Sequence, residues 1–201
     1  MPHPVRFRPR GGVILAAIAI VICAVALVSL AVTDGIEGVL QWGWPIVAFA
    51  WLAWLLYIRP SVEVTEAFVE IRNLFRTHRV PWGDVAAVES RYALTVETAG
   101  GSRIRAWAAP APGARRALST RREEVSRTPG DSDTRGPSDA EGTDSGDAAA
   151  LVRRALEEHR RSGGVDLPGG TATTWDVVTL GVTLALLAAA GYSLVQASLH
   201  G

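Results

Sequence analysis

The chain has 201 residues, and its 20 basic side chains balance its 20 acidic ones at a net charge of zero. This balance gives no reason to expect a nucleic-acid partner. The single cysteine, Cys23, excludes a disulfide framework and any metal site built on cysteines. Hydrophobic residues make up 48% of the chain, but they concentrate in three stretches instead of spreading over one globular domain.

Three apolar stretches, residues 13–32, 39–58 and 177–195, are long enough to cross a membrane. About 20 helical residues, each rising 1.5 Å, span a hydrocarbon core of roughly 30 Å. We therefore predict three transmembrane helices. A cleaved signal peptide is the alternative for the first stretch, but such peptides have apolar cores of about 7 to 15 residues. This stretch is longer, and another span follows it directly.

Charges beside the stretches predict their orientation. Residues 1–12 form a tail with three arginines and no acid, and Arg59 follows the second stretch directly. The turn at 33–38 has two acids and no base. By the positive-inside rule, the N-tail and residues 59–174 lie in the cytoplasm. We predict a multi-pass protein of the inner cell membrane.

Residues 59–108 alternate apolar and polar side chains in short runs, which is typical of strands with one buried face. The apolar members are Val62, Val64, Val69, Ile71, Leu94, Val96, Ile104 and Ala106. Ala99-Gly100-Gly101 provides residues suited to a tight hairpin. The prediction is a small β-barrel or sandwich.

Residues 109–146 have almost no large apolar side chain and an acidic second half. Such a segment buries too little surface to offset its ordering entropy, so we predict a disordered acidic insertion. A helix is expected at 147–161, with Asp147 as its N-cap. Leu151, Val152, Ala155 and Leu156 form an apolar stripe on it, so this amphipathic helix is expected to cap the β domain.

The residues at 59–73 and the segment Val80-Pro81-Trp82-Gly83-Asp84-Val85 resemble the bacterial PH-like domain of small actinobacterial membrane proteins, the low-molecular-weight antigen type. The resemblance covers 59–108 and the helix at 147–161. It implies a PH-like fold, N-terminal transmembrane hairpins, a cytoplasmic domain and no established reaction. The third span and the acidic insertion depart from that pattern.

No enzyme signature is found, and no catalytic residue, cofactor or metal is expected. The four histidines are scattered, and none has a partner at metal-ligand spacing. The non-enzymatic reading is a membrane-held binding or scaffold module with an unknown protein partner. The alternative is an accessory subunit of a larger membrane transport or envelope complex.

Five arginines of the β region are the candidate contacts for anionic lipid or a protein partner: Arg72, Arg76, Arg79, Arg103 and Arg105. A basic surface at the inner leaflet gains about 1 kcal/mol per arginine near anionic lipid. The competing interpretation is a solvated face on which these arginines offset Glu63, Glu70 and Glu97.

Trp82 and the small residues of the third apolar stretch are both predicted to have structural roles. Trp82, at a strand break, is predicted to be a core residue packed near Val85 and Leu156. In the third stretch, small residues recur every fourth position from Gly181 to Ala197. Such a stripe lets another helix approach closely, so contact with the first or second span is expected.

Overall fold

The computed structural model describes residues 5–8, 10–89, 93–110, 144–164 and 169–200. The chain divides into a β domain, Met1–Pro9 with Pro60–Thr174, and a helical unit, Arg10–Arg59 with Trp175–Gly201. The predicted disordered insertion at 109–146 lies almost wholly outside the described residues.

In chain order the elements are β1 Val5–Phe7, α1 Arg10–Thr33, α2 Gly35–Ala53 with a π-helical continuation Trp54–Ile58, β2 Ser61–Val64, β3 Phe68–Arg72, β4 Arg76–Pro81, a 3₁₀ turn Trp82–Asp84, β5 Val85–Glu89, β6 Ala93–Thr98, β7 Arg103–Pro110, α3 Asp144–Ser162, β8 Ala172–Trp175 and α4 Val177–His200.

In the described part of the chain, three helices are long and apolar enough to cross a membrane: Gly11–Thr33, Gly35–Ile58 and Val177–Leu199. The connection between α1 and α2 is shorter than the predicted turn at 33–38. Gly35 adopts a φ of +67°, a conformation that glycine reaches at little cost, so the chain reverses at Asp34 and re-enters a helix at once.

Polar contacts join α2 and α4 along their length. The indole Nε1 of Trp51 donates to Thr183 Oγ1 at 2.9 Å, and the Ser193 hydroxyl donates to the carbonyl of Gln41. Hydrogen bonds between apolar helices add to their packing inside a bilayer. The expected contact between the third helix and the second is therefore present.

The face of α4 that is buried shares only Ser193 with the predicted stripe. The buried residues are Thr179, Thr183, Ala190 and Ser193, whereas Gly181 and Ala185 are exposed. Four residues turn a helix by about 40° more than one revolution, so a strict four-residue repeat drifts off one face. Alternating steps of three and four residues keep the contact on α2.

The β domain consists of two antiparallel sheets instead of the closed barrel that was one of the two predicted forms. The first has the order β1-β2-β3-β4-β8 and the second β5-β6-β7. Where β7 meets the first sheet, the side chain of Asn73 binds its backbone: Nδ2 donates to the Arg105 carbonyl at 2.9 Å, and Oδ1 accepts from Trp107 N–H at 2.8 Å. The side chain of Asn73 thus links the two sheets here in place of a continuous row of backbone hydrogen bonds.

Both sheets and α3 share one hydrophobic core. The buried members are Val62, Val64, Val69, Ile71, Val80, Trp82, Val85, Leu94, Val96, Ile104, Ala106, Ala108, Ala148, Ala149, Val152 and Leu156. Helix α3 begins at Asp144, so Asp147 lies inside its first turn and is not the N-cap. The helix presents its apolar stripe to the core, as expected for a capping helix.

Segments beside the candidate membrane helices form both edges of the first sheet. Strand β1, two residues before α1, pairs with β2 through Val5↔Val64 and Phe7↔Val62. One residue separates the end of β8 from α4, and β8 lies beside β4. The sequence did not predict either strand, because each is too short to show a pattern and pairs with a distant segment.

Candidate functional site

The five candidate arginines fall on two different sheets. Arg72 ends β3 and both Arg76 and Arg79 lie on β4, in the first sheet. Arg103 and Arg105 lie on β7, in the second sheet. The structure therefore does not bring the five together into one patch.

A buried carboxylate organises the outer face of the first sheet. Glu70 is only 6% exposed and accepts hydrogen bonds from Arg72 Nε at 2.6 Å and Arg79 Nη2 at 3.0 Å. Burial raises the pKa of Glu70, but the bonds from both arginines outweigh it and leave the pKa below its usual value. The Arg79 guanidinium also lies 4.6 Å from the centroid of the Phe68 ring, in cation–π contact.

Two further arginines from the N-tail join this face. Cross-strand register aligns Arg6, Glu63, Glu70 and Arg79 in one row across the sheet. Arg6 Nη2 donates to the hydroxyl of Ser61 at 3.0 Å, and Ser61 is fully buried. We call Arg6, Arg8, Arg72 and Arg79 the arginine cluster.

Arg8 completes a second row of the cluster. Because Phe7 pairs with Val62 and Ser61 pairs with Arg72, extension of β1 by one residue places Arg8 opposite Ser61, in line with Arg72. The Nε of Arg8 is buried and has no hydrogen-bond partner among the described residues. Burial first, then repulsion from Arg8 and Arg72, lowers the pKa of Arg6.

Sequence reasoning used the N-tail arginines only as orientation signals. Val5-Arg6-Phe7-Arg8 does alternate apolar and basic residues, and that period of two is the signal that could have revealed a strand with a basic face.

The arginines of β7 form a simpler surface. Arg103 Nη2 lies 2.5 Å from Glu89 Oε2, and both side chains are about half exposed. The expected offset by an acid is present, but the acid is Glu89 instead of Glu97. Exposed pairs of this kind add little to stability.

The Val80–Val85 motif has structural roles. Trp82 is 2% exposed, and its Nε1 donates to the Thr65 carbonyl at 3.0 Å, so the prediction that it belongs to the core is confirmed. Asp84 Oδ2 accepts from the Thr171 N–H at 2.9 Å and from the Thr171 hydroxyl. The bond from that hydroxyl is the main reason that the pKa of Asp84 is lowered. The motif thus holds the segment that leads into β8.

Within the described ranges, no group of three or more His, Cys, Asp or Glu side chains could hold a metal ion.

Comparison with known proteins places the chain in a family. No curated protein and no solved structure gives a significant match. The family described as Bacterial PH domain matches residues 59–162, which is more than half of the chain and spans β2 to α3. With the two-sheet core and the helix packed on it, this chain therefore belongs to the Bacterial PH domain family.

Proposed function

We propose that this protein is a non-enzymatic binding or scaffold module, held in the inner membrane, whose PH-like domain faces the cytoplasm and holds a protein partner. The PH-like domain and the three candidate membrane helices make it a membrane-associated module. The orientation, the scaffold role and the partner are the proposed parts.

The observation that carries the proposal is that the chain leaves and re-enters the helical unit at one end of that unit. The first residue of α1, Arg59 after α2 and Asp176 before α4 all lie at one end of the helical unit. There, Arg59 Nη2 contacts Asp176 Oδ2 at 2.5 Å, and Gly12 packs beside the Tyr57 ring. The three points where the chain passes between its two units therefore all lie at this end of the helical unit.

The connections between the two units are short, and two of them lead from the edge strands of the first sheet, β1 and β8, into helices. Two residues separate β1 from α1, and one separates β8 from α4. Arginines concentrate at this end of the helices, which supports its cytoplasmic placement.

Site-specific photo-crosslinking in cells tests the proposal. A photoreactive residue at Arg103 or Trp107, on the exposed face of the second sheet, should give one discrete adduct with a protein partner. The matched control position is Ile36, which is 72% exposed at the opposite end of the helices. Absence of any adduct from the β domain would overturn the scaffold role.

The same experiment separates the accessory-subunit alternative. Leu184 and Tyr192 of α4 are exposed on the helical unit. Adducts with a multi-span protein from these two positions, and none from Arg103 or Trp107, would favour a subunit of a larger membrane complex.

A further inference from the structure

The outer face of the first sheet holds like charges close together without enough acid to balance them. Four arginines form the cluster, and the acids beside them are Glu63 and Glu70. The Glu70 carboxylate is already shared between two of the four arginines, because it accepts hydrogen bonds from both Arg72 and Arg79.

Around Arg6 and Arg8, the polar groups point to a site for an anion. Arg6 donates to the buried hydroxyl of Ser61, and the buried Nε of Arg8 has no partner among the described residues. A buried donor without an acceptor is costly, and guanidinium groups bind tetrahedral oxyanions through paired N–H donors. Register places Arg72 in the same row as Ser61.

We propose that Arg6, Arg8 and Arg72, around Ser61, form a binding site for a phosphate group. The outer nitrogens of Arg6 and Arg72 would donate to phosphate oxygens, and a rotation of the Arg8 side chain would bring its buried Nε to the same anion. The anion would relieve the repulsion among the three guanidinium groups. Because Arg8 lies two residues before α1, the phosphate of an anionic lipid headgroup and a free phosphate are both possible sources. The site does not depend on the proposed protein partner.

Amide exchange on the full chain in lipid nanodiscs tests the site. The chain is compared in phosphatidylcholine discs, in discs containing 30% phosphatidylglycerol, and in phosphatidylcholine discs with inorganic phosphate, at one ionic strength. Slower exchange at β1 and the start of β2 with either phosphate source supports the site, and the arm that gives it identifies the source. Unchanged exchange in both arms would overturn the proposal.

Variants separate the site from general attraction of basic residues. Arg8→Gln should weaken the response to the effective phosphate source by roughly fivefold, the effect of about one arginine at an anionic surface. Arg103→Gln, on the other sheet, should leave it unchanged. Equal loss in both variants would mean a diffuse charge effect and would overturn the site. Because the wild-type comparison stands alone, the test survives even if Arg8→Gln misfolds.

Discussion

At the scale of single residues, Glu70 shows how a buried charge is kept on the outer face of a sheet. Its carboxylate is nearly inaccessible, yet two arginines donate to it, and Arg79 also covers Phe68. Removing one partner of such a group leaves the others uncompensated, which costs more than the pair itself contributes.

Acid should weaken the domain through Glu70. Because its pKa in the fold lies below the value of 4.5 for an unperturbed glutamate, its ionised form stabilises the fold above that pH. This contribution is lost as the pH falls through the folded-state pKa. Glu70→Gln should therefore be less stable at pH 7, by about 1 to 3 kcal/mol, and lose less stability between pH 5 and pH 3.

Amide exchange of β2–β4 in the detergent-solubilised full chain measures both effects. Glu66→Gln, at an exposed turn position, is the matched control and should behave as the parent does. The same acid dependence in Glu70→Gln and the parent would contradict this account.

Trp82 anchors the core at the break between β4 and β5. Trp82→Ala should cost about 3 to 5 kcal/mol, and Leu156→Ala about 2 to 5 in the same direction, because each leaves a cavity in the shared core. Trp82→Phe keeps an aromatic ring in the core and loses the bond to Thr65 and only part of the buried volume, so it should cost less. Faster amide exchange throughout β2–β6 of the full chain would show the loss, and protection equal to the parent in Trp82→Ala would place this side chain outside the core.

At the scale of elements, the edges of the first sheet are the unexpected feature. Strand β8 is held by two kinds of contact: the Thr174 hydroxyl donates to the Thr77 carbonyl at 3.4 Å, and His78 Nδ1 lies 2.9 Å from Thr173 Oγ1. Its approach is fixed by the bonds between Thr171 and Asp84. Edge strands with few contacts open most readily, so β8 depends on this anchor.

Asp84→Ala should release β8 selectively. Amide exchange at 172–175 should become severalfold faster, while the central pair β2 and β3 keeps its protection, because the Asp84 side chain bonds Thr171 just before β8 and Ala99 just after β6, and neither residue lies on β2 or β3. Asp84→Asn retains one acceptor oxygen and should show a smaller effect. A uniform increase across the whole sheet would instead mean that Asp84 supports the global fold.

At the scale of the whole molecule, the pairing of β1 with β2 constrains the topology. These strands flank α1 and α2, so the N-tail and the β domain must lie on the same side of any membrane that the two helices cross. Arg59 also pairs with Asp176, which hydrogen bonds to Thr179 N–H and hydroxyl at the start of α4. Those bonds, together with the bond from Arg59, lower the pKa of Asp176 to about 2, so this carboxylate stays charged at neutral pH.

A reporter that is active only outside the cytoplasm tests the orientation. Fused after Arg121 it should be inactive, and fused after Gly201 it should be active, because α4 carries the C-terminus across. Fusion after Asp34, in the connection between α1 and α2, should also be active and serves as the internal control. The reverse pattern would overturn the orientation, and equal results after Arg121 and Gly201 would overturn the third crossing.

The sequence alone determined the features that depend on local pattern or on length. Apolar length identified the three candidate spans, period-two alternation located most strands of the domain, and the segment from Val80 to Val85 pointed to the family. Trp82 could be assigned to the core because a large apolar ring at a strand break can cover the end of a small β domain. Each of these rests on residues close together in the chain.

Tertiary structure alone decided the features that depend on distant pairing. Strand β1 forms because Val5 and Phe7 pair with β2, from which α1 and α2 separate them in sequence. Strand β8 is positioned by the hydrogen bond between Thr171, just before it, and the distant Asp84. The arginine cluster follows from that pairing, since Arg8 and Arg72 share a row only through Ser61. A three-residue strand has no pattern strong enough to predict, and its stability comes from the partner that the folded sheet supplies.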